Sequence, residues 1–267
     1  MKSILTAGEN RRIAKAMLDY TMLADGDRVL VAVSGGIDSL VLAWVLHNWR
    51  RKAPINYEVH PVYVDMRPRV PEAETGHRAG LICERLAALG LSCRVLPAEL
   101  PTLQEAQQNE AGTETTGICF QCARNRRRLL FDHAREHGFQ TIALGHHRDD
   151  IVETFFINLT CSGNISTMRP KQVLFSGRLA LIRPLAYLVK EEIWGIGKRL
   201  GLDPVASDCP VSEKTRRKDI RGLLEHMYDR IPGSREHIFA ALGNVRQDYL
   251  LLQESPTHQQ ETHANDS

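Results

Sequence analysis

Between Val29 and Leu46 the chain reads VLVAVSGGIDSLVLAWVL. A β-branched apolar run enters a turn of small residues, and a second apolar run leaves it. The first run has the pattern of a short buried strand from Arg28 to Val33, and the second that of a helix from Asp38 to Asn48. The turn between them holds Ser34, Gly35, Gly36, Ile37, Asp38 and Ser39. A strand that runs through a glycine turn into a helix presents backbone N–H groups and a positive helix end to an anion. Gly35 and Gly36 let a phosphate approach the backbone, and the hydroxyls of Ser34 and Ser39 can donate to it. The turn lacks the lysine of the usual nucleotide-triphosphate loop. Taken alone, Ser-Gly-Gly is also what an ordinary strand-to-helix turn looks like.

The rest of the chain repeats this alternation. Asn10 to Met22 has helical spacing, with Ile13, Met17 and Tyr20 on one side. Tyr57 to Asp65 alternates as a strand, in which Pro61 suits an edge or a bulge. A helix from Ala73 to Leu89 closes at Gly90, and Ser92 to Leu96 is a third strand. Pro101 to Thr116 is polar and aperiodic, a loop or a weak helix. Cys119 to His137 is helical and stops at Gly138. Thr141 to Leu144 is a fourth strand, followed by a helix from Arg148 to Leu159. After Cys161 come a loop or hairpin, a helix from Lys190 to Leu200, a loop through Cys209, a basic helix from Lys214 to Tyr228, and a last helix reaching about Leu252. The tail is polar.

This pattern predicts an α/β fold, a doubly wound and mostly parallel sheet with a small helical C-terminal extension. The expected partition is an N-terminal helix (1–24), a main domain (25–205), a helical region (206–254) and a disordered tail (255–267). A chain of 267 residues with 43% apolar content has enough material for one such core plus an appendage. Ligands of these sheets sit at the carboxyl ends of strands. Both Ser34–Ser39 and Gly145–Asp150 fall there.

The second of these segments opens GHHRDDIVET. It places Gly145, His146, Asp149 and Asp150 where a strand gives way to a helix. Paired carboxylates here can hold Mg²⁺ or orient a substrate nitrogen. Acids also cap helix starts, but capping explains neither the paired histidines nor the second strand end. Net charge is only +2, so a nucleic-acid footprint must be local. No apolar run approaches the ~20 residues that span a bilayer, and the N-terminus turns polar too soon for a secretory leader. The expected compartment is the cytoplasm, with no membrane partner. In that reducing setting the six cysteines are free thiols, metal ligands or catalytic groups rather than disulfides. Cys119 and Cys122 form a C-x-x-C that could bind zinc, do redox chemistry or ligate iron–sulfur. Cys83, Cys93 and Cys161 read as packing residues. The glycines of Gly195 to Gly201 are wrongly spaced for dinucleotide binding.

The phrase VAVSGGIDSLVL resembles the PP-loop of the N-type ATP pyrophosphatases. GHHRDDIVET resembles the G-H-x-x-D-D-x-x-E-T box of the members that act on tRNA, and IRPLAYLVKEEI their R-P-L segment. GICFQCARNRRRLL and CPVSEKTRRKDIRGLLEHM, the latter followed by Pro232-Gly233, resemble the cysteine segments of the iron–sulfur tRNA thiolases, the 2-thiocytidine synthetases in particular. The resemblance runs from about Val29 to about Asn244. It implies an adenine nucleotide alpha hydrolase-like, Rossmann-like fold and an enzyme that splits ATP between the α and β phosphates. ATP would lie on Ser34, Gly35, Gly36, Asp38, Ser39, Gly145 and His146. Asp38, Asp149 and Asp150 would be catalytic, with Asp38 holding Mg²⁺ or orienting the loop. Cys119, Cys122 and Cys209 would bind a 4Fe–4S cluster with one iron open to a sulfur species. Arg124, Arg127, Arg128, Arg183, Arg216, Arg217 and Arg221 would meet tRNA. The sulfur would come from a cysteine desulfurase or sulfide, and the family leaves room for a homodimer.

On this reading the C2 carbonyl oxygen of a tRNA base, a cytidine of the anticodon loop, is adenylated and then replaced by sulfur. Two departures keep alternatives open. Many 2-thiocytidine synthetases have lysine where this chain has Ile37, and a second C-x-x-C where it has only Cys209. Isoleucine at that place is similar to the tRNA lysidine synthetases, so a ligase of that kind with structural zinc is one rival. A nucleotide- and cluster-binding sensor without turnover is another. The related 2-thiouridine thiolases carry zinc-finger cysteines at both ends, which this chain lacks.

Overall fold

The computed structural model describes residues 4–66, 72–98, 116–205 and 216–251, with the backbone alone at 72–76 and 116–120. Its described strands are β1 (Asp27–Val33), β2 (Tyr57–Asp65), β3 (Arg94–Pro97), β4 (Thr141–Ala143), β5 (Lys171–Leu174) and β6 (Leu179–Ile182). Its helices are α1 (Ala7–Asp19), α2 (Ile37–Trp49), α3 (Glu72–Ala88), α4 (Thr116–Glu136), α5 (Arg148–Ser162), α6 (Lys190–Arg199), α7 (Arg216–Arg230) and α8 (Ser234–Ala241). The strands form one sheet in the order β3-β2-β1-β4-β6-β5. All neighbours are parallel except β5, which returns antiparallel on β6 as the outer arm of a hairpin. The expected doubly wound α/β sheet is present.

The alternation within β1 assigns its two faces. Val29, Val31 and Val33 join a core with Ile13 of α1, Leu40 and Val41 of α2, Ile82 of α3 and Ile193 of α6. Leu30 points the other way, with Leu130 and Ala134 of α4, Phe139 and Ile142. Helices thus cover both faces, the condition under which a parallel strand reads as a continuous apolar run. Helix α2 lies in the larger of the two cores and is apolar nearly all round. Its Leu40, Val41, Leu42, Val45 and Leu46 have no exposed surface.

Helix α1 begins earlier than its apolar spacing suggests because Thr6 and Glu9 form a capping box. Thr6 Oγ1 accepts the Glu9 N–H at 3.2 Å, and the Glu9 carboxylate accepts the Thr6 N–H at 2.8 Å. The same carboxylate pairs with Arg199 at 2.7 and 2.6 Å, and Arg12 pairs with Glu192, so α1 is tied to α6.

Other boundaries differ from expectation. Pro61 lies in an interior strand rather than at an edge or bulge. The ladder with β3 starts only at Val62, so the missing N–H interrupts nothing on that side. The last helix stops at Ala241, well before Leu252, and is followed by a single 3₁₀ turn at Gln247–Tyr249. Of the loop or weak helix expected from Pro101 to Thr116, residues 101–115 fall outside the described residues and Thr116 begins α4. The chain divides into two units, the first running through Leu224 and the second starting at Glu225. Among the described residues no helix is long and apolar enough to cross a membrane.

Candidate active site at the carboxyl ends of β1 and β4

Strand β1 has β2 on one side and β4 on the other. The chain leaves β1 toward β2 and later returns to β4, which opens a crevice between the loops that follow β1 and β4. The first loop is Ser34–Ser39. Ser39 Oγ accepts the Ser34 N–H at 3.1 Å and donates to the Gly36 carbonyl at 2.8 Å, while Ser34 Oγ accepts the Gly36 N–H at 3.3 Å. Gly35 has φ +86°, and a Cβ there would lie 2.8 Å from Ile82 Cδ1, so both backbone and space require glycine. Gly36 caps α2 without a side-chain hydrogen bond, leaving the helix to meet a ligand through its amides.

Gly145 is where the second loop meets the first. A Cβ on it would lie 3.1 Å from the Asp38 carbonyl carbon and from the Ser39 nitrogen. Its glycine is demanded by loop-on-loop packing.

The carboxylates form one network. Lys190, the first residue of α6, places Nζ 2.7 and 2.6 Å from the two Asp38 oxygens. Its own backbone N–H donates to Asp149 Oδ2 at 2.8 Å. Asp150 accepts the His147 N–H at 3.0 Å, so the capping role weighed for these acids is real. It also takes Arg217 Nη1 at 3.2 Å. The buried His147 ring lies 3.4 Å from both Asp149 and Asp150 and 4.0 Å from Asp38. Burial works against a charge on His147, but these three carboxylates outweigh it and raise its pKa. His146 behaves oppositely. Burial, with nearby arginines, pushes its pKa down to about 4, and Arg183 Nε donates to its Nδ1 at 3.3 Å. A neutral ring accepting at Nδ1 carries its proton on Nε2, which makes His146 a hydrogen-bond donor.

A cavity of about 730 Å³ fills the crevice. That volume suits a nucleotide. Ser34, Gly36, Asp38, Ser39, Gly145, His146 and Asp150 border it on the loop side. Val62, Val64 and Met66, with Leu130 and Phe131 of α4, give it an apolar wall. Arg126 and Arg127 of α4 and Arg78 of α3 supply positive charge, and Arg78 Nη2 donates to the Ser34 carbonyl at 3.0 Å.

The remaining expected residues divide. Arg124 and Arg128 are exposed on α4, and Arg216 on α7. The other three arginines expected at RNA have protein partners, and only Arg183 is buried; Arg217 is half-buried and Arg221 exposed. Arg183 is 4% exposed and held by His146 and the Arg169 carbonyl. Arg217 binds Asp150 and Thr154, and Arg221 grips the buried Glu153 at 2.7 and 3.2 Å. Arg217 and Arg221 supply the counter-charges that the carboxylates of α5 need once buried. Sequence reading missed Lys190 and Arg78, whose partners lie far away in the chain. Cys122 is half-buried on α4 next to Ala123, a cavity-lining residue. The Cys119 side chain and all of Cys209 lie outside the described residues. Among those described, no group of three or more His, Cys, Asp or Glu is set to hold a metal ion. Cys161 is exposed rather than packed. Cys93, whose thiol is pushed up to about 12 by burial and by the neighbouring Cys83, packs against the core as expected.

A glycine-serine anion cradle at the switch point of a parallel sheet, faced by a second loop of carboxylates and histidines, defines a nucleotide-binding α/β protein. The chain belongs to the PP-loop domain family, whose model matches residues 6–227. It is 35% identical over 242 residues to the tRNA-cytidine(32) 2-sulfurtransferase of Sorangium cellulosum, covering 90% of this chain and 82% of the relative. It is 34% identical over 244 residues to that of Pelobacter propionicus, covering 91% and 87%. Among solved structures it is similar to the U34-tRNA thiolase NcsA from Methanococcus maripaludis with its [4Fe-4S] cluster. The TM-score is 0.66 and the identity 20%, with 88% of this chain and 77% of that one covered. At that identity the likeness shows a shared fold.

Proposed function

We propose that the protein is an ATP-dependent tRNA 2-sulfurtransferase acting on a cytidine of the anticodon loop; its relatives bear the name tRNA-cytidine(32) 2-sulfurtransferase. The observation that carries this reading is the position of α4. The helix that holds Cys119, Cys122 and the arginine run also walls the cavity lined by Ser34–Ser39 and Gly145–Asp150.

The Ser34–Ser39 amides and hydroxyls receive the β and γ phosphates, and the apolar wall receives the adenine. Asp38 and Asp150 border the same cavity and suit Mg²⁺, a hard cation that takes carboxylate oxygens. The cytidine C2 carbonyl oxygen attacks the α-phosphorus, and pyrophosphate leaves. The oxygen, now bonded to AMP, has become a good leaving group. Sulfur then bonds to C2 as the C2–O bond breaks and AMP departs. Neutral His146 donates through Nε2 to phosphate oxygens as charge gathers on them. Its partner Arg183 holds the ring in that tautomer. Arg126 and Arg127, with Arg124 and Arg128 beyond them, meet RNA phosphates at the cavity mouth.

Cys119 and Cys122 stand three positions apart on one helix, hence on one side of it, and fit two ligands of a 4Fe–4S cluster completed by Cys209. That cluster, when bound, would hold an external sulfur species beside the base and deliver it. The sulfur source on this reading is a cysteine desulfurase or sulfide, and the compartment is the cytoplasm. The test is mass spectrometry of tRNA nucleosides from cells with and without the protein. 2-Thiocytidine should vanish without it and return with the wild-type gene but not with Cys209→Ala, whose purified protein still binds ATP. Unchanged 2-thiocytidine in the deleted strain would overturn the assignment.

A further inference from the structure

The Ser34–Ser39 loop presents hydroxyls, amides and the carboxylate of Asp38, with no cation of its own. Position 37, in the middle of the loop, is filled by an isoleucine that is 2% exposed. Its side chain takes the space left by Gly197 of α6, where a Cβ would come within 2.4 Å of Ile37 Cδ1. Residue 37 is therefore a packing residue between α2 and α6. Yet a polyphosphate beside Asp38 needs a positive partner.

We propose that Lys190 is that partner: a phosphate-binding residue delivered to the PP-loop from the first turn of α6. The inference rests on the ATP-dependent reading above and names a residue that contacts the nucleotide.

Its Nζ already reaches the loop, bonded to both oxygens of a carboxylate that borders the cavity. Its backbone is held in place three ways. The Lys190 N–H binds Asp149, the Arg148 N–H binds the Leu188 carbonyl at 2.9 Å, and Gly197 seats on Ile37. Its side chain is 36% exposed, so the head is free to shift while the backbone stays put. An ammonium has three donors on a flexible stem, and can keep Asp38 with one while giving others to phosphate oxygens. In the nucleotide-free protein Lys190 neutralises Asp38. With nucleotide bound it neutralises pyrophosphate as well, which favours departure of that group as a unit.

A merely structural Lys190–Asp38 bridge would tie α2 to α6 and affect every ligand alike. A phosphate contact would discriminate between ligands. The experiment is calorimetric binding of ATP, pyrophosphate and AMP, without tRNA, to wild type, Lys190→Met and Lys190→Arg. Lys190→Met should weaken ATP and pyrophosphate by about tenfold or more, the value of one charge-assisted hydrogen bond. AMP should change by less than about twofold, and Lys190→Arg should restore most of the loss. ATP and pyrophosphate unchanged in Lys190→Met, or AMP weakened equally, overturns the proposal. A second measurement needs no variant. Acetylation of wild-type Lys190 by an amine-reactive reagent, read by peptide mass spectrometry, should slow with pyrophosphate and not with AMP; equal rates overturn it. Wild type that binds neither ATP nor pyrophosphate would instead remove the ATP reading, and this inference with it.

Discussion

His146 and His147 are neighbours in sequence with opposite electrostatics. His146 is half-buried beside arginines and kept neutral, its pKa near 4 against 6.5 for the free side chain. The unfolded chain therefore binds a proton that the folded one refuses between those values. Stability should fall as pH drops from about 6.5 toward 4, by on the order of 3 kcal/mol from this group. His147 has the contrary sign. Its raised pKa means stability that is present below 6.5 and lost as pH climbs through the folded value. Urea unfolding of His146→Gln should show the acid slope flattened relative to wild type. An unchanged slope would mean that His146 is not held neutral.

Among elements, the junction of α5 and α7 is held by a cluster of ion pairs. Glu153 is 2% exposed, and its two oxygens are taken by Arg221, with Arg217 at 3.7 Å. The arginines belong to the start of α7, within the first unit. Replacing Glu153 with Leu takes the carboxylate partner from Arg221 and leaves Arg217 with Asp150 and Thr154. It should cost about 2 kcal/mol and loosen the residues after Arg216, read as lost hydrogen-exchange protection there. Retained protection would show that α7 is held by Ile220 and Leu224 packing alone. The tie of α1 to α6 through Glu9 and Arg199 works the same way. Both were hidden in the sequence because a carboxylate and a guanidinium far apart in the chain carry no mutual signal.

For the molecule as a whole, only local charge can recruit an acidic partner, since the net charge is +2. We propose the α4 arginines as that local charge; Arg183 is buried against His146, and Arg217 and Arg221 are paired with Asp150 and Glu153. Arg127→Ala should weaken tRNA binding and reduce the slope of log K against log salt by about 1. Filter binding across a salt series measures this. An unaltered slope would move the RNA path away from α4.

The fold was legible, and so were the two loops that frame the candidate site, because they depend on short-range patterns. A buried strand, a glycine turn and an apolar helix identify each other within eighteen residues. A parallel alternation then leaves only the carboxyl ends of the strands for a ligand. Where apolar spacing and hydrogen-bonding ends part company, as at the Thr6–Glu9 box or the early stop at Ala241, boundaries shifted. The sequence by itself determined the sheet, the anion cradle and the second loop that faces it. Only the tertiary structure decided which charges pair with which. Lys190 meets Asp38, Arg183 turns to His146 and Arg221 closes on Glu153 across long stretches of chain. Burial decides those pairings, because a charge removed from water takes the nearest opposite charge that folding brings to it.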